Sequence, residues 1–438
     1  MTPRRARLGA DRKPPRVLVL GLDGADWTVI DPLLERGVLP ALGALIERGA
    51  RAPLASTVPP ISAAAWVSFL LGAGPGSHGI LDFRAVDARR YEGTTGHVVT
   101  ANDYAKRTFF DVAGAAGLRV ASVRVPMTYP AWPLNGVMVA GPPTPDDRRL
   151  YTQPEDLAGS LTVGEMDIGN RLLEYPVERQ VEILRTQLER SERLGRQVAR
   201  LEAFDLTMVA VNTPDNAHHC FWHLRGRSGD DPVDRFYAEV DRFVGAMAGL
   251  DDWDLVVVMS DHGGGPRPPV RVAMNAWLAR LGALETRGGY RAGLSRAATA
   301  GKRHRRLVRL VRRWAPRGIQ RTVSSVTQFT GAIDWAATTA FGVHLFHPYF
   351  GVELNVRDAG DGLLRADPGP NRLVGLRCSF GVVDQHRDRH ALLLSRDILR
   401  RGYERPAVRE IGSSPHVARP CSIANNAAAA RVETPIFP

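Results

Sequence analysis

Over the first 260 residues, short apolar runs rich in β-branched residues trade places with stretches whose apolar positions recur at threes and fours. Residues 16 to 23 (RVLVLGLD) read as a buried strand, and PALGALIERGA (40 to 50) as a short amphipathic helix after it. Pro59 and Pro60 end one element, and Ser62 stands in an N-cap position before an Ala-rich helix closing at Gly72. Residues 107 to 117 predict a helix, 118 to 123 and 136 to 141 strands. Val177, Val181, Leu184, Leu188, Leu194, Val198 and Leu201 predict a long surface helix over 176 to 203, feeding a strand at 206 to 212. A helix over 236 to 247 and a strand over 254 to 260 follow. Such alternation predicts an α/β fold with a mostly parallel central sheet and helices on both faces.

Beyond residue 285 the pattern breaks. The segments expected are a basic lead (1 to 14), a catalytic α/β core (15 to 285), a basic helical insertion or cap (286 to 332), the remainder of the core (333 to 400) and an irregular tail (401 to 438). The formal charge of +11 belongs to the insertion. Twelve of the 57 Arg and Lys residues fall between 287 and 321 with no Asp or Glu, so the rest carries 45 basic against 46 acidic residues. Leu307, Val308, Leu310, Val311 and Trp314 make this segment amphipathic, which permits docking on nucleic acid or an anionic membrane surface. The plainer reading is a solvated cap helix, since only three of the 57 basic residues are Lys and the Arg bias is general. No apolar run reaches transmembrane length, and the N-terminus lacks a cleavable signal pattern. Cys220, Cys378 and Cys421 have neither metal nor disulfide-framework spacing, which points to a reducing cytoplasm.

The chemistry lies at the ends of three of the predicted strands. Asp23, Asp215 and Asp261 each follow one, and the last two bring His219 and His262. In an open α/β sheet, ligands gather beyond the carboxyl ends of the strands, so residues remote in sequence converge on one crevice. Asp and His donors suit Zn²⁺ or Mn²⁺ better than a soft metal. Asp215 and His219 stand four apart, on one side of a helical turn; the competing reading is a capping Asp and a solvated His. Asp261 and His262 precede Gly263, Gly264 and Gly265, where backbone approaches an ion or phosphate closely. His218 and His223 flank the Asp215 pair in supporting or structural positions. Ser62, at a helix start, faces the positive end of the helix dipole, and its competing reading is an ordinary cap.

The stretches GLDGADW, PPISAAAWVSFLLGAGPGSHGILDF, VPMTYPAWPLNGVMVAG, TPDNAHHCFWH and SDHGGGP followed by MNAWL, in this order and spacing, resemble the type I phosphodiesterase and nucleotide pyrophosphatase branch of the alkaline phosphatase superfamily. The resemblance covers 15 to 285 well and 333 to 400 loosely. It implies an alkaline-phosphatase-like fold and two divalent metal ions, Zn²⁺ by preference. One would be held by Asp23, Asp261, His262 and the nucleophile Ser62, the other by Asp215, His219 and a C-terminal histidine. DQHRDRHALLLS supplies His386 for that last position, in preference to His390, with His344 or His347 as substitutes. The spacer before His386 is shorter than in the family, and the family's Asp-, Ile-, Ala-, Pro- and Thr-rich sequence does not follow it. Nucleotide pyrophosphatases carry an Asn three residues past the nucleophile, where this chain has Ala65 followed by Trp66. Ala63, Trp66, Asn212 and Asn216 are then the candidates for contacting substrate.

The implied activity is hydrolysis of a small phosphate ester or nucleotide through a phosphoseryl intermediate. A phosphomonoesterase of the same superfamily is the alternative. A protein with a decayed site that binds nucleic acid or anionic lipid through its Arg-rich helix is the reading from another class. A sulfatase would need a Cys/Ser-x-Pro-x-Arg context, and Ser62 is followed by AAAW.

Overall fold

The structure is a computed structural model that describes residues 14–85, 97–104, 108–144, 150–161, 169–226, 231–266, 274–286, 333–334, 337–345, 350–354 and 381–382. The basic lead through residue 13, the Arg-rich segment, His386, His390 and the C-terminal tail lie outside them.

In chain order the elements are β1 (Val17–Leu22), α1 (Trp27–Glu35), α2 (Pro40–Arg48), α3 (Ser62–Leu71), α4 (Pro75–His78), α5 (Phe109–Ala115), β2 (Val120–Val123), β3 (Gly136–Val139) and β4 (Thr152–Gln153). Then come α6 (Val177–Ala199), β5 (Leu206–Val211), α7 (Thr213–Phe221), α8 (Pro232–Ala248), β6 (Leu255–Met259), α9 (Met274–Arg280), β7 (Ala340–His344), β8 (Phe350–Leu354) and β9 (Gly381–Val382).

Six strands form one sheet in the order β4-β3-β2-β5-β1-β6. All its pairings are parallel except that of β4 with β3. The mostly parallel α/β arrangement expected from the alternating pattern is therefore the one observed. A second, antiparallel sheet joins β7, β8 and β9.

Side chains on a strand alternate between faces, and β1 divides the core accordingly. Leu18, Leu20 and Leu22 enter one apolar cluster with Leu33 of α1, Leu184 and Leu188 of α6, and Phe236, Phe243 and Val244 of α8. Val19 enters the other, with Trp66 and Leu70 of α3, Phe110 of α5, Met208 and Ala210 of β5, and Phe341 and Val352 of the second sheet. Each fully buried large apolar side chain contributes about 1.5–3 kcal/mol, so both layers hold the strand ends in place.

The start of α3 differs from expectation. Ile61, in extended conformation, is the cap, because its carbonyl accepts the first helical N–H, from Ala65 at 2.9 Å. Ser62 is the first helical residue. Its hydroxyl makes no cap bond and turns outward. No helix among the described residues is long and apolar enough to cross a membrane.

Candidate metal centre

Strand order places the acidic groups. Because β1 lies between β5 and β6, extending the β1–β6 register of Val17 with Leu255 brings Asp23 level with Asp261. Asp215 enters from α7 just beyond β5, and its N–H donates to the Asp23 carbonyl at 3.0 Å, tying the helix start to the end of β1. Gly24, at φ 70°, turns the chain away there and donates its N–H to Asp261 Oδ1 at 3.2 Å. Glycine adopts that conformation without strain, and a side chain would meet the Cβ of Asp215. Ser56 Oγ donates to the Asp261 carbonyl at 2.7 Å and holds the other side of the turn.

The side chains converge. Ser62 Oγ lies 2.9 Å from His262 Nε2 and 3.5 Å from Asp23 Oδ1. His262 Nε2 lies 3.6 Å from Asp23 Oδ1 and 3.4 Å from Asp261 Oδ2. Ligand atoms of Asp23, Asp215 and His262 all fall within 4.8 Å of one another. His219 Nε2 stands 3.3 Å from Asp215 Oδ2, one helical turn along α7. Six of the seven residues read as ligands from the sequence thus occupy one crevice, and His386 lies outside the described residues.

Electrostatics carry the strain of this crowding. Burial raises Asp23 well above the usual carboxylate range, and the charges of Asp261 and Asp215 add to it. Burial raises Asp261 too. For Asp215 burial opposes ionisation, but the hydrogen bond and charge of His219 outweigh it and hold the carboxyl at about 2. Burial likewise opposes protonation of His262, yet Asp261, Asp23 and Asp215 together push it up to about 9. Asp261 Oδ2 is buried and accepts no hydrogen bond among the described residues. A buried charged oxygen without donors is costly. An orphaned carboxylate oxygen beside an imidazole nitrogen and further carboxylates is a donor set that fits a hard or borderline divalent cation.

The four candidate substrate contacts divide. Asn212, half-buried, is the cap of α7, and Asn216 lies half-buried on its first turn, both beside Asp215. Ala63 and Trp66 are fully buried. Trp66 lies behind Asp23 rather than on the crevice surface, its indole N–H donating to Asp23 Oδ2 at 2.9 Å. A side chain on Gly21 of β1 would collide with its ring. His218 is buried, and its Nε2 meets Tyr237 Oη at 3.1 Å, whereas His223 is exposed. Asp26, which sequence reasoning passed over, caps α1 and reaches the loop after His262. Its one legible signal was an Asp two residues before Thr28 at a helix start.

The family model described as "Type I phosphodiesterase / nucleotide pyrophosphatase" matches residues 17–320. Comparison with curated proteins finds no match. Among solved structures, the chain is similar to phosphonoacetate hydrolase from Sinorhizobium meliloti 1021 in complex with phosphonoformate, at 22% identity and a TM-score of 0.41. The same protein in complex with phosphonoacetate gives 22% and 0.40. Each alignment covers 63% of this chain and 66% of the other.

Proposed function

The chain belongs to the type I phosphodiesterase/nucleotide pyrophosphatase family, whose members hydrolyse phosphoric esters, and from that membership we propose a metal-dependent phosphodiesterase that works through Ser62. The observation that carries this reading is the position of Ser62 Oγ, 2.9 Å from His262 Nε2 and 3.5 Å from Asp23 Oδ1, two members of the Asp23, Asp215 and His262 group. No alcohol placed among carboxylates would attack an anionic ester without compensating positive charge.

Asp23, Asp261, His262 and Ser62 would hold one divalent ion; Asp215, His219 and His386 would hold the second. Zn²⁺ suits these donors best, with Mn²⁺ next. Such ions, when bound, supply the charge that acidifies a hydroxyl and offsets the negative charge of the transferring phosphoryl group. Ser62 Oγ forms the new P–O bond as the ester oxygen departs in line, leaving a phosphoseryl residue. Water then cleaves that bond and restores the hydroxyl. The N–H groups of Ser62, Ala63 and Ala64 precede the first intrahelical bond of α3 and favour an anion at this end of the helix. Trp66 keeps Asp23 Oδ2 occupied so that Oδ1 faces the crevice.

The test is turnover of an aryl phosphodiester and an aryl phosphomonoester by chelator-treated protein, with and without added Zn²⁺ or Mn²⁺. Metal-dependent turnover favouring the diester is expected, reduced at least about 10³-fold in Ser62→Ala. Turnover that survives in Ser62→Ala, or that ignores the chelator, would overturn the reading, and preference for the monoester would reassign the substrate.

A further inference from the structure

The trans peptide joining Gly263 and Gly264 makes a polar contact at each end. On one side the Gly263 carbonyl lies 2.8 Å from His262 Nδ1. A carbonyl only accepts, so Nδ1 carries the proton and Nε2 is left to face Ser62, Asp23 and Asp261. On the other side the Gly264 N–H donates to Asp26 Oδ2 at 3.1 Å. The carboxylate of Asp26 thus reaches the imidazole of His262 through one intervening amide.

Helix capping alone does not account for this. Asp26 Oδ1 suffices for the cap of α1, accepting from Thr28 N at 2.8 Å and Thr28 Oγ1 at 2.6 Å. Oδ2 points elsewhere, to the loop that follows β6. The backbone of Asp26 is itself fixed, since its N–H donates to Tyr237 Oη at 3.1 Å. Tyr237 in turn stacks on His218 and meets its Nε2. A side chain on Gly263 would overlap Asp26 Oδ2, and one on Gly264 would overlap His218 Nδ1. The two glycines allow the peptide to lie against Asp26 and His218.

We propose that Asp26 is a positioning residue for the metal centre, acting on His262 through the Gly263–Gly264 peptide. Hydrogen bonds in a chain polarise one another, so a carboxylate at the N–H makes the carbonyl a stronger acceptor. The stronger acceptor holds the Nδ1–H tautomer, fixes the ring and makes Nε2 a better donor to an ion. Partners one step removed from a metal typically change its affinity 10–100-fold. This inference rests on the reading of His262 as a metal ligand.

The experiment compares the full chain with Asp26→Asn, Asp26→Ser, Thr28→Val and Asp261→Ala. Zn²⁺ affinity is measured by competition with a chromophoric chelator, and the His262 Nδ1–H proton is followed by NMR. Serine still caps α1 but is too short to reach Gly264, so it reports on the relay if the Asn variant fails to fold. Expected are a 10–100-fold loss of Zn²⁺ affinity in the Asp26 variants and a shifted, faster-exchanging Nδ1–H signal. Thr28→Val should lower the melting temperature while leaving affinity within about twofold and the signal unmoved. Asp26 variants that match the wild type in both readouts would overturn the proposal. So would an equal loss of affinity in Thr28→Val, which would make Asp26 a helix cap and nothing more. Should the wild type take up no more Zn²⁺ than Asp261→Ala, the metal reading falls, and the Nδ1–H signal alone decides whether the relay exists.

Discussion

The indole N–H of Trp66 donates to Asp23 Oδ2 at 2.9 Å, and this leaves Oδ1 as the oxygen turned toward Ser62 and His262. Trp66 is fully buried, so its donor has no exchange with water. Hydrogen bonds to charged groups contribute about 1.5–3 kcal/mol. Trp66→Phe retains an aromatic ring against Gly21 but removes the donor. Expected are about 2–4 kcal/mol of lost stability, from the hydrogen bond and the smaller ring together, and Zn²⁺ affinity weaker by about tenfold or more. Urea denaturation of the metal-free protein and a Zn²⁺ titration check the two parts separately. An unchanged affinity would show that Asp23 orients itself without Trp66.

The pH dependence of metal uptake follows from His262. In the absence of an ion its imidazole is raised to about 9, burial being outweighed by Asp261, Asp23 and Asp215. A ligand nitrogen must lose its proton before it binds, so apparent Zn²⁺ affinity should climb about tenfold per pH unit up to about pH 9. The metal-free fold behaves in the opposite sense. A raised folded pKa contributes stability that is complete below the unfolded value of 6.5 and is lost as pH rises through about 9. Asp23 and Asp261, raised by burial, act in the same direction. Melting temperature should therefore fall from pH 6.5 to 9 without metal, and stay nearly level over the same range with saturating Zn²⁺, because the roughly tenfold gain in affinity per pH unit offsets the loss. Thermal scans in chelator and in Zn²⁺ test this. A melting temperature independent of pH in chelator would contradict the crowding of acids described above.

How much of this was legible in the sequence depends on how local the signal was. Asp23, Asp215 and Asp261 were legible because each follows an apolar run at the carboxyl end of a strand. That β1 lies between β5 and β6 was not, since strand order is set by long-range packing. The helix α1 went unread. It is short, carries Pro32 inside, and its buried Val29, Ile30 and Leu33 make a pattern too brief to separate from a loop. The two-residue β4 leaves no periodicity at all. Trp66 read as a substrate contact because it follows Ala65, where nucleotide pyrophosphatases carry Asn. Its burial depends on Gly21, 45 positions earlier, making room for the ring. Asp26 was invisible as a partner of Gly264 because 238 positions separate them.

His78 couples the turn after α3 to the helix that carries Ser62. The Ile80 N–H donates to its Nδ1 at 3.1 Å, so Nε2 holds the proton and donates to Ser68 Oγ at 2.8 Å. Burial lowers its pKa from 6.5 to about 4, and protonation at Nδ1 would break the bond from Ile80. A depressed folded pKa contributes stability present above 6.5 and lost as pH falls through about 4. His78→Gln should thus lose less stability than the wild type between pH 7 and 4. Guanidinium unfolding across that range checks it, and parallel acid limbs would refute it.

Helix α2 begins without a cap of its own, because Leu39 offers no side-chain acceptor and Pro40 occupies the first turn. Asp241 of α8 takes the role from 200 positions away, accepting from Ala41 N at 3.0 Å and Leu42 N at 2.8 Å. Asp241 is 1% exposed, so water cannot replace it. Asp241→Ala should leave two amides unpaired near the core and cost about 2–4 kcal/mol, more than the loss of a surface cap at about 1 kcal/mol. Asp241→Asn keeps one acceptor oxygen and should cost about half as much. Urea titrations in saturating Zn²⁺ measure both. Because neither variant touches the crevice, Zn²⁺ affinity and Ser62-dependent turnover below the melting transition should stay at wild-type level. A fall in either would mean that the packing of α2 on α8 reaches the site through Tyr237, which α8 also carries.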